Sequence, residues 1–242
     1  MVSSDASKDT QDEDTLIKQL EELCTSNLLS IKTLRDKTNN ISPTNVLDAI
    51  ANSDYLLHAI CKNDNISKSI VEHILRLCPT AVSKPIRNGQ MYPLHLAAAN
   101  PHCPGSVIKL LVKRDASILE KRVCDDISKQ VDSKLFPLHY YILRRSNYDY
   151  GIIKYLVKSY PEALTYMPDR EDRDRSYITP FKLLCQEFHG ELSLDLIKLL
   201  AGTKNECLEL VQNELYCSPF MALLENSDIK PFPIDAVRYF IE

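Results

Sequence analysis

Two apolar phrases alternate along the chain. The first is short: Tyr55-Leu56-Leu57-His58, Tyr92-Pro93-Leu94-His95, Phe136-Pro137-Leu138-His139, Thr179-Pro180-Phe181 and Ser218-Pro219-Phe220. The second comes after each copy: Ile70-Val71-Glu72-His73-Ile74-Leu75, Val107-Ile108-Lys109-Leu110-Leu111, Ile152-Ile153-Lys154-Tyr155-Leu156, Leu196-Ile197-Lys198-Leu199-Leu200 and Ala236-Val237-Arg238-Tyr239-Phe240. Leu57 to Leu94 is 37 residues, Leu94 to Leu138 is 44, Leu138 to Phe181 is 43 and Phe181 to Phe220 is 39. Recurrence at such periods means stacked supersecondary units, each burying the apolar side of its neighbour. Each unit reads as helix, tight turn, helix, long return loop. Pro93 falls at the first helical position, where its missing N–H costs nothing. Leu94, Ala97 and Ala98 form a narrow inner face, and small alanines let two helices approach closely. Val107, Ile108, Leu110 and Leu111 put apolar groups on two sides of the second helix, as suits a helix pressed between neighbours. Burying each such Leu or Ile contributes roughly 1.5–3 kcal/mol.

Upstream the pattern is looser. Residues 1–13 are acidic and polar and are expected to be a disordered tail. Leu16, Leu20 and Leu23 then keep helical spacing to about Cys24, and Leu28, Ile31 and Leu34 suggest a second short helix. Ser42-Pro43 reads as an N-cap and first helical position opening a third helix, with Val46, Leu47 and Ile50. Residues 14–53 are thus expected to be an N-terminal helical cap, and residues 54–242 the repeat array. The chain ends at Phe240-Ile241-Glu242, inside an apolar helical phrase, which leaves open that it is the N-terminal recognition segment of a larger multidomain protein.

Charge and cysteine use narrow the class. A net charge of −4 and a pI near 5.9 argue against a general nucleic-acid surface, which needs clustered Lys and Arg. No stretch approaches the roughly 18 apolar residues of a membrane span. The acidic N-terminus has neither the basic nor the apolar segment of a secretory signal, so a cytoplasmic or nuclear protein is expected. Of the eight cysteines, no two have the short gap of a zinc knuckle or redox pair. Cys61, Cys78 and Cys185 lie in apolar helical stretches, where a free thiol acts as a small hydrophobe. Reduced, mostly buried thiols are the simpler account, and a disulfide framework the weaker alternative.

Tyr92-Pro93-Leu94-His95-Leu96-Ala97-Ala98 and Val107-Ile108-Lys109-Leu110-Leu111 resemble the ankyrin repeat, with its T-P-L-H-x-A phrase ahead of a V-V-x-L-L helix. The resemblance covers residues 54–242. It implies an all-α helical-repeat solenoid of about five divergent ankyrin-like helix-turn-helix units. Three departures stand out. The family's opening Thr is Tyr92 in one unit and Phe136 in the next, which removes its Thr–His bond. Lys182 stands where the fourth unit would carry His. The glycines usual at the turns are scarce, and Cys78-Pro79-Thr80-Ala81-Val82 and Tyr160-Pro161-Glu162-Ala163-Leu164 end the second helices with proline instead.

Candidate chemistry is sparse. His58, His95 and His139 share one repeat position, so neighbours sit roughly 10 Å apart, the spacing of packed helices. Metal ligands lie about 2 Å from their ion, so a structural role for the imidazoles is expected. His102-Cys103 reads as a surface-turn pair, and His73 and His189 as isolated. The chain has no nucleophile elbow, phosphate-binding glycine loop, HExxH or EF-hand loop. No catalytic residue, metal site or cofactor is expected, and an enzyme of unrecognised type has no positive sign. Two charged return loops stand out, residues 120–135 and 168–177, the latter holding Asp169-Arg170-Glu171-Asp172-Arg173-Asp174-Arg175. Charges there either keep a long loop soluble or serve recognition, since arginine grips carboxylates bidentately. The resemblance implies non-enzymatic protein–protein recognition through the concave face and return loops. Arg87, Asn88, Gln90, Arg122, Asp125, Arg170, Arg173 and Arg175 are the candidate contact residues. Tyr140, Tyr141, Tyr148 and Tyr150 divide between core and surface. The sequence specifies neither the partner nor an oligomeric state.

Overall fold

The computed structural model describes residues 6–39, 55–86, 91–124, 134–144, 148–165, 179–187 and 193–201, with residues 226, 234, 235 and 238 as single positions. The fold is all-α. Among the described residues, ten helices are laid out as pairs: α1 (Ala6–Thr25) and α2 (Ile31–Asn39); α3 (Leu56–Lys62) and α4 (Lys68–Leu77); α5 (Pro93–Ala99) and α6 (Gly105–Arg114); α7 (Pro137–Leu143) and α8 (Tyr150–Ser159); α9 (Pro180–Glu187) and α10 (Leu194–Leu200). Three 3-10 turns come after second helices, at Pro79–Ser83, Ala116–Glu120 and Pro161–Leu164. The only described strands are two-residue ones, β1 (Val123–Cys124) and β2 (Lys134–Leu135), paired antiparallel with Val123 opposite Leu135.

Local chemistry sets the helix ends. Ser30 and Thr33 cap α2 reciprocally: Ser30 Oγ accepts the Thr33 N–H at 3.1 Å and Thr33 Oγ1 accepts the Ser30 N–H at 3.0 Å. This is a Ser/Thr version of the capping box. Asp149 caps α8, its Oδ1 accepting the N–H groups of Gly151 at 2.8 Å and Ile152 at 3.3 Å. Gly151 gives that carboxylate room, because a Cβ there would lie 3.1 Å from it. Pro93 and Pro137 open α5 and α7 as the spacing predicts. Pro79 and Pro161 do more than end a helix, since each starts a 3-10 turn that buries its fourth residue, Val82 or Leu164.

The chain divides into two compact units, residues 1–118 and 119–242. In the first, α1 packs on α3 and α3 on α5, while α2 packs on α4 and α4 on α6. First helices therefore stack on first helices and second on second. Leu20, Cys24, Leu57, Ile60, Cys61, Leu94, Ala97 and Ala98 line the first row, and Leu34, Val71, Leu75, Ile108 and Leu111 the second, all buried. The second unit repeats the scheme, with α7 on α9 and α8 on α10 around Leu138, Ile142, Ile153, Phe181, Leu184, Cys185 and Ile197.

The N-terminal segment departs from its expected form in detail. Helix α1 begins at Ala6, inside the stretch expected to be a tail. The α1–α2 pair docks on α3–α4 by the same scheme that joins α3–α4 to α5–α6. The third helix expected after Ser42 lies outside the described residues. Among the described residues, no helix is long and apolar enough to cross a membrane.

Candidate functional site

His58, His95 and His139 sit in the first turns of α3, α5 and α7 and are buried, at 1%, 0% and 0% exposure. The residue that opens two of these helices stacks on the imidazole. The Tyr92 and His95 rings lie 5.8 Å apart at a tilt of 40°, and Phe136 and His139 repeat this at 5.8 Å and 34°. An aromatic ring thus replaces the hydroxyl that the resemblance would put there. In the fourth pair Thr179 returns and caps its helix, with Thr179 Oγ1 accepting the Lys182 N–H at 3.2 Å. These histidines are walled into the packing and offer no accessible imidazole to a substrate.

His73 is not isolated. Its Nε2 lies 2.9 Å from Thr38 Oγ1 on α2, and its Nδ1 lies 3.1 Å from Arg76 Nη2. Thr38 Oγ1 also lies 3.0 Å from the Leu34 carbonyl. Burial, then Arg76, then Arg35 hold the imidazole below its ordinary pKa. Cys103 corrects the surface-turn expectation: His102 is exposed, whereas Cys103 is buried. Cys24, Cys61, Cys78, Cys103 and Cys185 are buried. Burial pushes the thiols of Cys24 and Cys185 up to about 12 and that of Cys61 well above its usual value. Such thiols are inert as nucleophiles and metal ligands. Among the described residues, no group of three His, Cys, Asp or Glu side chains is placed to hold a metal ion.

The root of the first charged loop, within the second unit, is the part of the expected recognition surface that the structure describes. Val123 and Leu135 pair there and are buried, so the described residues on either side of the loop are held side by side. Arg122 is exposed beside this pair, with its guanidinium carbon 6.0 Å from the centre of the Phe136 ring. Phe136 also meets Tyr160 edge-on at 5.3 Å. Burial, Glu162 and Glu120 raise the Tyr160 phenol, and Arg122 partly offsets them. Arg122 thus lies over the Phe136 ring, which in turn meets Tyr160. Arg87, Asn88, Gln90, Asp125, Arg170, Arg173 and Arg175 lie outside the described residues.

The tyrosines divide sharply. Tyr140 and Tyr141 are core residues at 1% exposure, and the Tyr148 hydroxyl donates to the Ile142 carbonyl at 3.0 Å. Of these four, Tyr150 is exposed, with Lys154 Nζ 5.6 Å from its ring centre.

A repeated asparagine escaped the sequence reading. Asn63 Nδ2 donates to the carbonyls of Cys24 and Ser26 at 2.9 and 2.8 Å. Asn100 Nδ2 donates to those of Cys61 and Asn63, both at 3.0 Å. In the second unit Asn226 Nδ2 donates to those of Cys185 and Gln186 at 3.0 and 3.1 Å. Each amide closes the carbonyl end of the preceding first helix, where backbone acceptors have no partner within the helix. The signal was available: an Asn six residues after Leu57, Leu94 and Phe220. No known protein family, curated protein or solved structure matches this chain.

Proposed function

We propose that the chain is a divergent ankyrin-like solenoid that recognises a partner protein through its concave face and return loops and carries out no chemistry of its own. One observation carries the reading. Within each compact unit, successive helical pairs stack first helix on first and second on second, with the asparagine amides bonding one layer to the next. Such stacking holds loops at fixed spacing, so little ordering entropy is lost on binding. The pairing of Val123 with Leu135 supports the reading by bringing the two roots of a return loop together. The buried histidines and unreactive thiols are in keeping with a binding role.

Affinity capture with the intact chain, repeated with an Arg170→Ala, Arg173→Ala, Arg175→Ala variant, tests the reading. The triple variant should keep its helical circular dichroism and lose the partner. Interface arginines that matter cost about 2 kcal/mol or more on truncation, which is more than about tenfold in Kd. Equal retention of the partner would remove that loop from recognition. Turnover of a substrate, abolished by His95→Ala or His139→Ala in a folded protein, would replace the reading with an enzyme.

A further inference from the structure

We propose that His73 is a proton-sensitive latch that fastens α2 to α4 in its neutral form and releases it when protonated. The bonding pattern permits only one set of roles. An arginine only donates, so Arg76 Nη2 gives its hydrogen to His73 Nδ1, 3.1 Å away. The imidazole proton is then on Nε2 and points at Thr38 Oγ1, 2.9 Å away. Thr38 accepts it and passes its own hydroxyl hydrogen to the Leu34 carbonyl at 3.0 Å. The chain of bonds runs Arg76 to His73 to Thr38 to Leu34, each donor meeting an acceptor.

Helix α2 buries two of its side chains fully, Leu34 and Thr38, so the polar contact engages one of its two buried groups. A second proton would have to go on Nδ1, which faces the Arg76 donor. That site then holds two donors and two positive charges with no acceptor between them. Of the charged groups on α2, on α4 itself and on the neighbouring α3 and α6, Arg76 and Arg35 are those that act on the ring, and both disfavour its charged form. Arg35 is carried by α2, so protonation also drives the helix off by repulsion. Because the folded imidazole is less basic than its ordinary 6.5, the unfolded chain takes up more protons below that pH. The contribution of the latch is therefore whole above about pH 6.5 and drains away as the pH falls below it.

Hydrogen exchange of the full chain, corrected for intrinsic rates, tests the latch at pH 7.5 and pH 5.5. Protection across residues 31–39 should fall at the lower pH while that of residues 93–114 holds, and His73→Gln, which cannot titrate, should remove the difference. The same fall in wild type and His73→Gln would overturn the proposal. Should His73→Gln fail to fold, the imidazole is titrated by NMR in the wild-type chain. A midpoint below 6.5 with concerted shifts of α2 resonances supports the latch, and a midpoint at or above 6.5 overturns it.

Discussion

Asn100 shows how a single side chain ties two layers together. Its amide serves two carbonyls at the end of α3, and its Oδ1 accepts the His102 N–H at 2.9 Å, shaping the turn into α6. Truncation leaves buried acceptors without their donor, a loss of about 1–3 kcal/mol. Asn100→Ala should therefore lower the urea midpoint by a corresponding amount without changing the helical spectrum at rest. An unchanged midpoint would mean that water replaces the amide at no cost. The cysteines at Cys24, Cys61 and Cys185 belong to the same scale. Each supplies a carbonyl to the asparagine ladder while its thiol fills the core. Sequence alone marked Cys61 and Cys185 as small hydrophobes, but a backbone acceptor leaves no trace in side-chain chemistry.

The described helices are short, mostly seven to ten residues, and isolated helices of that length are marginal in water. Their stability comes from the apolar face each presents to the next. Leu138 in α7 is buried at 3% exposure, and Leu138→Ala should cost about 2–5 kcal/mol, the range for large-to-small core changes. Arg122→Ala, at an exposed position, should lie within about 0.5 kcal/mol of wild type in the same denaturation experiment. Near-equal losses would mean that the root of the loop is part of the core. Periodicity announced these helices because their inner positions recur. It said less about the segments beyond their ends. The prolines after α4 and α8 read as stops, yet they seed 3-10 turns whose Val82 and Leu164 are buried. A 3-10 turn is too short to show a period.

At the scale of the whole molecule the chain resolves into two compact units that meet in sequence at residue 118. The first contains three stacked pairs with their own continuous core. Residues 1–118 expressed alone should therefore give a helical spectrum and a sigmoidal thermal transition. A featureless melt would mean that this core depends on the rest of the chain.

Spacing along the chain was enough to set the helical class, the positions of the described helices from α3 to α10, the proline starts of α5 and α7, and the burial of most of their inner apolar residues, though Leu28, expected in the second short helix, lies outside α2 and is exposed. A helix brings residues three or four apart onto one face, so all of these can be read locally. Packing decided the rest: that Asn63, Asn100 and Asn226 join successive layers, that His73 faces Thr38, that Cys103 turns inward, and that Arg122 rests over Phe136. Those contacts join residues as much as 41 positions apart. A lone polar residue carries no periodic signal, so its partner is known only once the helices have packed.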